Sequence, residues 1–113
     1  TGGVDGAKYP WGESSFEATG GRFTQDATWQ VGAAPPNPYG LIDIGFNVHE
    51  WCSDWYAPYS VDATDPHGPD KGTERVIRGG AWDEPASATA SVARARLAPD
   101  KRIPNVGFRV VLR

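Results

Sequence analysis

The sequence predicts a turn-rich fold of short strands, little helix and much ordered loop. Three observations carry this. Fourteen Gly and ten Pro in 113 residues leave little room for long elements. Apolar and charged residues alternate only over short runs, of which Arg75–Arg78 and Gly107–Leu112 are the clearest. Hydrophobic content of 39% with five Trp is too apolar and aromatic for a disordered segment, so the loops must pack on a core.

The elements follow in order. Residues 1–8 are Gly-rich and read as loop, and Tyr9-Pro10-Trp11-Gly12 as an aromatic-anchored turn. Residues 13–27 are polar surface loop. Trp29, Val31 and Gly32 suggest a short strand that stops at Pro35-Pro36-Asn37-Pro38, because proline cannot donate to a ladder. Over Tyr39–Trp55 two readings stay open. Trp51 and Trp55 share one face of a short helix, but a strand followed by a turn suits the segment too. Residues 57–73 carry three Pro and two Gly and form a long loop. Arg75-Val76-Ile77-Arg78 is a half-buried strand ending at Gly79-Gly80. The Ala- and Ser-rich residues 83–93 make a weak helix, with Pro85 in its first turn. A terminal strand follows, with Phe108, Val110 and Leu112 on one side.

Charge and composition exclude several functions. A net charge of −3 gives no basis for binding nucleic acid, and no apolar run is long enough for a membrane span. The arginines near the C-terminus read as a solvated face with structural pairs, Arg94 and Arg96 included. Cys52 is the sole cysteine, so no intrachain disulfide or thiolate zinc cluster is possible, and the compartment stays open. His49 and His67 stand alone. His49-Glu50 opens like a zinc-protease helix, but Ser53 stands where the second imidazole belongs. The five tryptophans read as core anchors and not as a stacking cage.

Five blocks in a fixed order go further. Tyr9–Gly12 precedes Pro35-Pro36-Asn37-Pro38-Tyr39-Gly40-Leu41, then Asp43-Ile44-Gly45-Phe46-Asn47-Val48-His49-Glu50-Trp51-Cys52-Ser53-Asp54-Trp55-Tyr56. Arg75-Val76-Ile77-Arg78-Gly79-Gly80-Ala81-Trp82 and Asn105-Val106-Gly107-Phe108-Arg109-Val110 complete the series. The chain resembles the formylglycine-generating-enzyme, or sulfatase-modifying-factor, family across residues 9–111. The resemblance implies an α+β fold related to C-type lectins. It makes residues 1–113 the C-terminal part of such a domain, with an N-terminal half absent, cleaved off or on another chain.

By the same resemblance a structural calcium ion sits in the loop 43–50. Asp43 and Glu50 would bind it through carboxylates, Phe46 and Val48 through backbone carbonyls. Hard oxygen donors at this spacing suit that ion. Phe46 departs from the family's usual glycine. Oxidase members bind copper(I) between two cysteines, and soft thiolates are what copper(I) requires. Here those positions hold Glu84 and, approximately, Thr89, with Ala81 in place of the usual serine, so no copper is expected. The reading that follows is a non-oxidase, calcium-stabilised scaffold or recognition domain for an unknown small molecule or protein. Two alternatives are the substrate-side portion of an ergothioneine-type sulfoxide synthase and a C-type-lectin-like variable protein. Cys52 reads as a structural thiol.

Overall fold

A computed structural model describes residues 6–12, 26–59 and 68–112. Of the expected loops, residues 13–25 and 60–67 lie outside them. The ordered centre is a four-stranded sheet in the order β3-β2-β1-β4, formed by β1 (His49–Trp55), β2 (Arg75–Arg78), β3 (Ala95–Leu97) and β4 (Val106–Gly107). β1 and β2 are antiparallel, with Glu50 opposite Arg78 and Trp51 opposite Ile77, and their register shifts before Trp55 meets Arg75. β3 adds antiparallel to β2, whereas β4 runs parallel to β1 through His49–Val106 and Glu50–Gly107.

The strand reading of the Trp51 segment is therefore the right one. A spacing of four residues is close to one helical turn but is also two strand repeats, so Trp51 and Trp55 could not decide between them. In β2, Val76 and Ile77 are consecutive and face opposite sides of the sheet, yet both are buried. Both faces are thus covered at the sheet centre, unlike the half-buried strand expected. Between β2 and β3 a single 3-10 turn, Ala86–Thr89, stands where the sequence suggests a weak helix. No side chain caps its start; its own backbone bonds, the Thr89 hydroxyl on the carbonyl of Ala86 and the burial of Thr89 hold it.

Two other expectations are corrected. Residues 29–32 form a turn and no strand, because Gly32 and Ala34 give their amides to the Asp43 carboxylate and not to a neighbouring strand. The terminal strand ends at Gly107. Phe108, Val110 and Leu112 are 77, 83 and 100% exposed. Their alternation is that of a strand with one buried face, but no described segment covers it. The tryptophans also differ from simple core anchors: all five are half-buried. A large ring on a small domain commonly leaves an edge in water. Trp11 still stacks on both Tyr9 (5.6 Å) and Phe46 (5.7 Å), tying the first block to the loop before β1.

Asn37 makes a second tie. It is buried, its Oδ1 accepts from the amides of Tyr39 (3.0 Å) and Leu41 (2.9 Å), and its Nδ2 donates to the carbonyl of Pro10 (3.1 Å). These bonds satisfy the backbone of a proline-rich turn that cannot join a ladder.

Candidate functional site

The loop 43–48 is built from unusual backbone. Asp43, Phe46 and Asn47 all have positive φ, at 54°, 61° and 58°. A side chain there crowds its own carbonyl, so each position needs compensation from its surroundings. Asn47 receives it through its Oδ1, which accepts from the amide of Trp29 (3.0 Å), and through its carbonyl, which accepts from the amide of Trp82 (2.9 Å). Phe46 receives it through burial and through its amide, which donates to the carbonyl of Gly79 (2.7 Å). The loop is therefore clamped to the Gly79–Trp82 corner that follows β2.

The four residues expected around calcium lie on the loop before β1 and at its start, and the two carboxylates carry protein partners. Asp43 accepts amides from Gly32 and Ala34. Glu50 accepts a forked pair of hydrogen bonds from Arg109, through Nε at 3.1 Å and Nη2 at 2.7 Å. Nη2 also reaches the carbonyl of Asp43 at 3.2 Å. The bond to Glu50, more than the cost of burial, holds the Arg109 guanidinium above its ordinary pKa. Oxygen donors here fit calcium in type. An ion would have to draw Glu50 away from Arg109, whose side chain is 36% exposed and free to swing towards water. The sequence places Arg109 only within its closing block; the partner of Glu50 lies 59 residues away, and no local spacing signals it.

The residues that the family resemblance matches to the oxidase cysteines, Glu84 and approximately Thr89, and to the serine, Ala81, lie on and beyond that corner. Ala81 and Thr89 are buried, and the Thr89 hydroxyl donates to the carbonyl of Ala86 (2.6 Å). Glu84 faces His49 at 2.6 Å. His49 is thus buried and paired, not a surface group. The structural role expected of the arginines is seen in part: Arg96 pairs with Glu74 (3.3 Å), while Arg94 stacks on Tyr59 (3.6 Å) and bonds the carbonyl of Ala57 (2.8 Å).

A cavity of about 290 Å³ opens between the Glu50–Arg109 pair and the 89–93 segment, with Trp51, Cys52, Arg78 and Thr89 in its walls. Burial pushes the Cys52 thiol up, with Asp54 and Glu50 adding to the rise and Arg78 opposing it. At neutral pH the group is held as thiol, and the thiolate is the reactive form. Alkylation by iodoacetamide at neutral pH should be several-fold slower in the folded chain than in urea; equal rates would refute this. A raised folded pKa contributes stability below the ordinary thiol value of 9.0, and that contribution is lost as pH rises above it.

The family model described as "Sulfatase-modifying factor enzyme 1-like domain" matches residues 1–113. The chain is 40% identical over 114 residues to serine/threonine-protein kinase pkn1 of Chlamydia pneumoniae, covering 96% of this chain and 18% of that protein. It is 36% identical over 132 residues to the formylglycine-generating enzyme of Streptomyces coelicolor, covering 96% of this chain and 41% of the enzyme. Among solved structures, Treponema denticola variable protein 1 superposes with a TM-score of 0.68 at 40% identity, over 74% of this chain and 31% of that one. The chain therefore spans less than half the length of these relatives. It has the fold expected from its five blocks, and it belongs to the sulfatase-modifying factor enzyme 1-like domain family.

Proposed function

We propose that the chain serves as a recognition scaffold and not as an oxidase. One observation carries the reading. At the positions aligned with the copper-binding cysteines stand Glu84, facing an imidazole, and Thr89, whose hydroxyl is spent on the backbone. Neither offers a soft ligand, and the sole thiol, Cys52, lies in β1. A formylglycine assay on a cysteine-containing sulfatase peptide, with copper(I) supplied, is expected to be blank. Copper-dependent turnover would overturn the reading.

Calcium belongs to the same proposal, held by Asp43 and Glu50 through carboxylates and by Phe46 and Val48 through carbonyls. It would compete with Arg109 for Glu50. Removing the guanidinium in Arg109→Met should strengthen calcium binding about tenfold, since a close opposite-charge competitor of about 1.4 kcal/mol is lost. Calorimetric titration of both proteins checks this. If calcium binds neither, the ion is lost from the proposal, and Arg109 remains the cation of the loop.

The exposed Phe108, Val110 and Leu112 face is where we place the rest of the domain or a second chain. A second reading, a variable ligand-binding protein of C-type-lectin type, is favoured by the likeness to the Treponema variable protein. Hypervariability confined to residues 82–98 among sibling genes would select it.

A further inference from the structure

A second cavity, of about 220 Å³, lies where the 3-10 turn passes over the sheet. Ile77, Ala88 and Ala95 supply apolar wall, and His49, Glu84 and Arg94 supply polar groups. His49 reaches it because it precedes Trp51 by two residues in β1, on the face that Trp51 shares with Ile77 and Ala95. Its side chain is 6% exposed. Two polar atoms of its lining residues are buried without a hydrogen-bond partner among the described residues: His49 Nδ1 and Arg94 Nε. Glu84 Oε2 lies 2.6 Å from His49 Nε2, and a carboxylate has further lone pairs with which to accept a second donor.

Leaving two such atoms unsatisfied is costly, so something of matching polarity belongs between them. The chemistry required is specific. Arg94 Nε–H needs an acceptor, and a guanidinium favours a carboxylate. Glu84 can accept from a further donor, and His49 Nδ1 needs a hydrogen-bond partner. Arg78 also lines the cavity, but it donates to the carbonyls of Ser91 and Ala93 and to the Tyr59 hydroxyl. The space holds about seven water volumes. The Glu84 side chain, 32% exposed, leaves an entrance.

We infer that this cavity binds a small carboxylate with an adjacent hydrogen-bond donor, an α-hydroxy or α-amino acid. Its carboxylate meets Arg94, and its hydroxyl or ammonium meets Glu84 and His49. The inference rests on the recognition reading and names a ligand class for it. It also gives the departure at Glu84 a use: where an oxidase has a thiol, this chain has an acceptor for a ligand donor.

Calorimetry on the full chain tests it with four probes. Glycolate and glycine carry both groups, acetate has only the carboxylate, and ethanolamine lacks it. Glycolate or glycine should bind at least tenfold more tightly than acetate and ethanolamine, and whichever is tighter assigns the hydroxyl or ammonium arm. Glu84→Gln should abolish the advantage over acetate, and Arg94→Lys the advantage over ethanolamine. Because Arg94 also holds Ala57, a probe-induced ¹⁵N shift of the His49 imidazole in the unsubstituted chain gives a readout independent of folding in the variants. Equal affinity for all four probes, or an unmoved His49 resonance at saturation, means the cavity holds water only and overturns the inference. Either result leaves the scaffold reading intact, since that falls only to copper-dependent formylglycine formation.

Discussion

Replacing Phe46 by glycine is expected to destabilise the domain by about 2–3 kcal/mol, although it removes a strained backbone conformation. Phe46 is 2% exposed with φ of 61°. Emptying a buried phenylalanine site costs about 3–5 kcal/mol. Relief of left-handed backbone returns only about 1–2 kcal/mol. Burial therefore wins. The ring also stacks on Trp11, which stacks on Tyr9, so the loss loosens the link between the first block and the loop before β1. Urea denaturation measures the change, and in a domain of this size the melting point should fall by about 10 °C. Phe46→Leu keeps the strain and most of the apolar volume, so it should cost less than the glycine. A stabilised Phe46→Gly would show that strain dominates and that the ring is a poor replacement for the family's glycine.

The same residue shows what the sequence could and could not disclose. Asp43, Phe46 and Asn47 sit in a recognisable block, so the loop was legible as a unit. Its compensations were not, because the carbonyl of Gly79 and the amide of Trp82 are 33 and 35 residues away from their partners. Arg75–Arg78 was legible from its β-branched Val76-Ile77 pair stopped by Gly79-Gly80, which reports a strand whatever covers its faces. Ala95–Leu97 was not, because three residues are too few to establish a period. The terminal run errs in the opposite direction. Phe108, Val110 and Leu112 carry a strand's pattern, but a pattern specifies a face to be covered and not the segment that covers it. Glu84 was legible as a departure from the cysteine pattern; only the fold brings His49 and Arg94 to it.

Gly80→Ala should have an effect of similar size through a different cause, and it should reach both cavities. Gly80 has φ of 69°, and a Cβ there would lie 2.7 Å from Thr89 Cγ2 and 3.3 Å from the backbone of Ala88. The left-handed backbone costs about 1–2 kcal/mol for any side chain. The clash adds about 1–3 kcal/mol of overpacking, because the 3-10 turn must lift off the sheet end. Gly40→Ala separates these parts: φ is 78°, but nothing lies within 4 Å of the added atom, so only the backbone cost applies. Combining Gly80→Ala with Thr89→Ser removes the clashing methyl and should recover part of the loss, a coupling expected only between groups in contact. Thr89 lines the larger cavity and Ala88 the smaller, so the single variant should reshape both and weaken ligand binding at the smaller, while Gly40→Ala does neither. Equal destabilisation by the two alanines would mean that the 86–89 turn is not seated on Gly80.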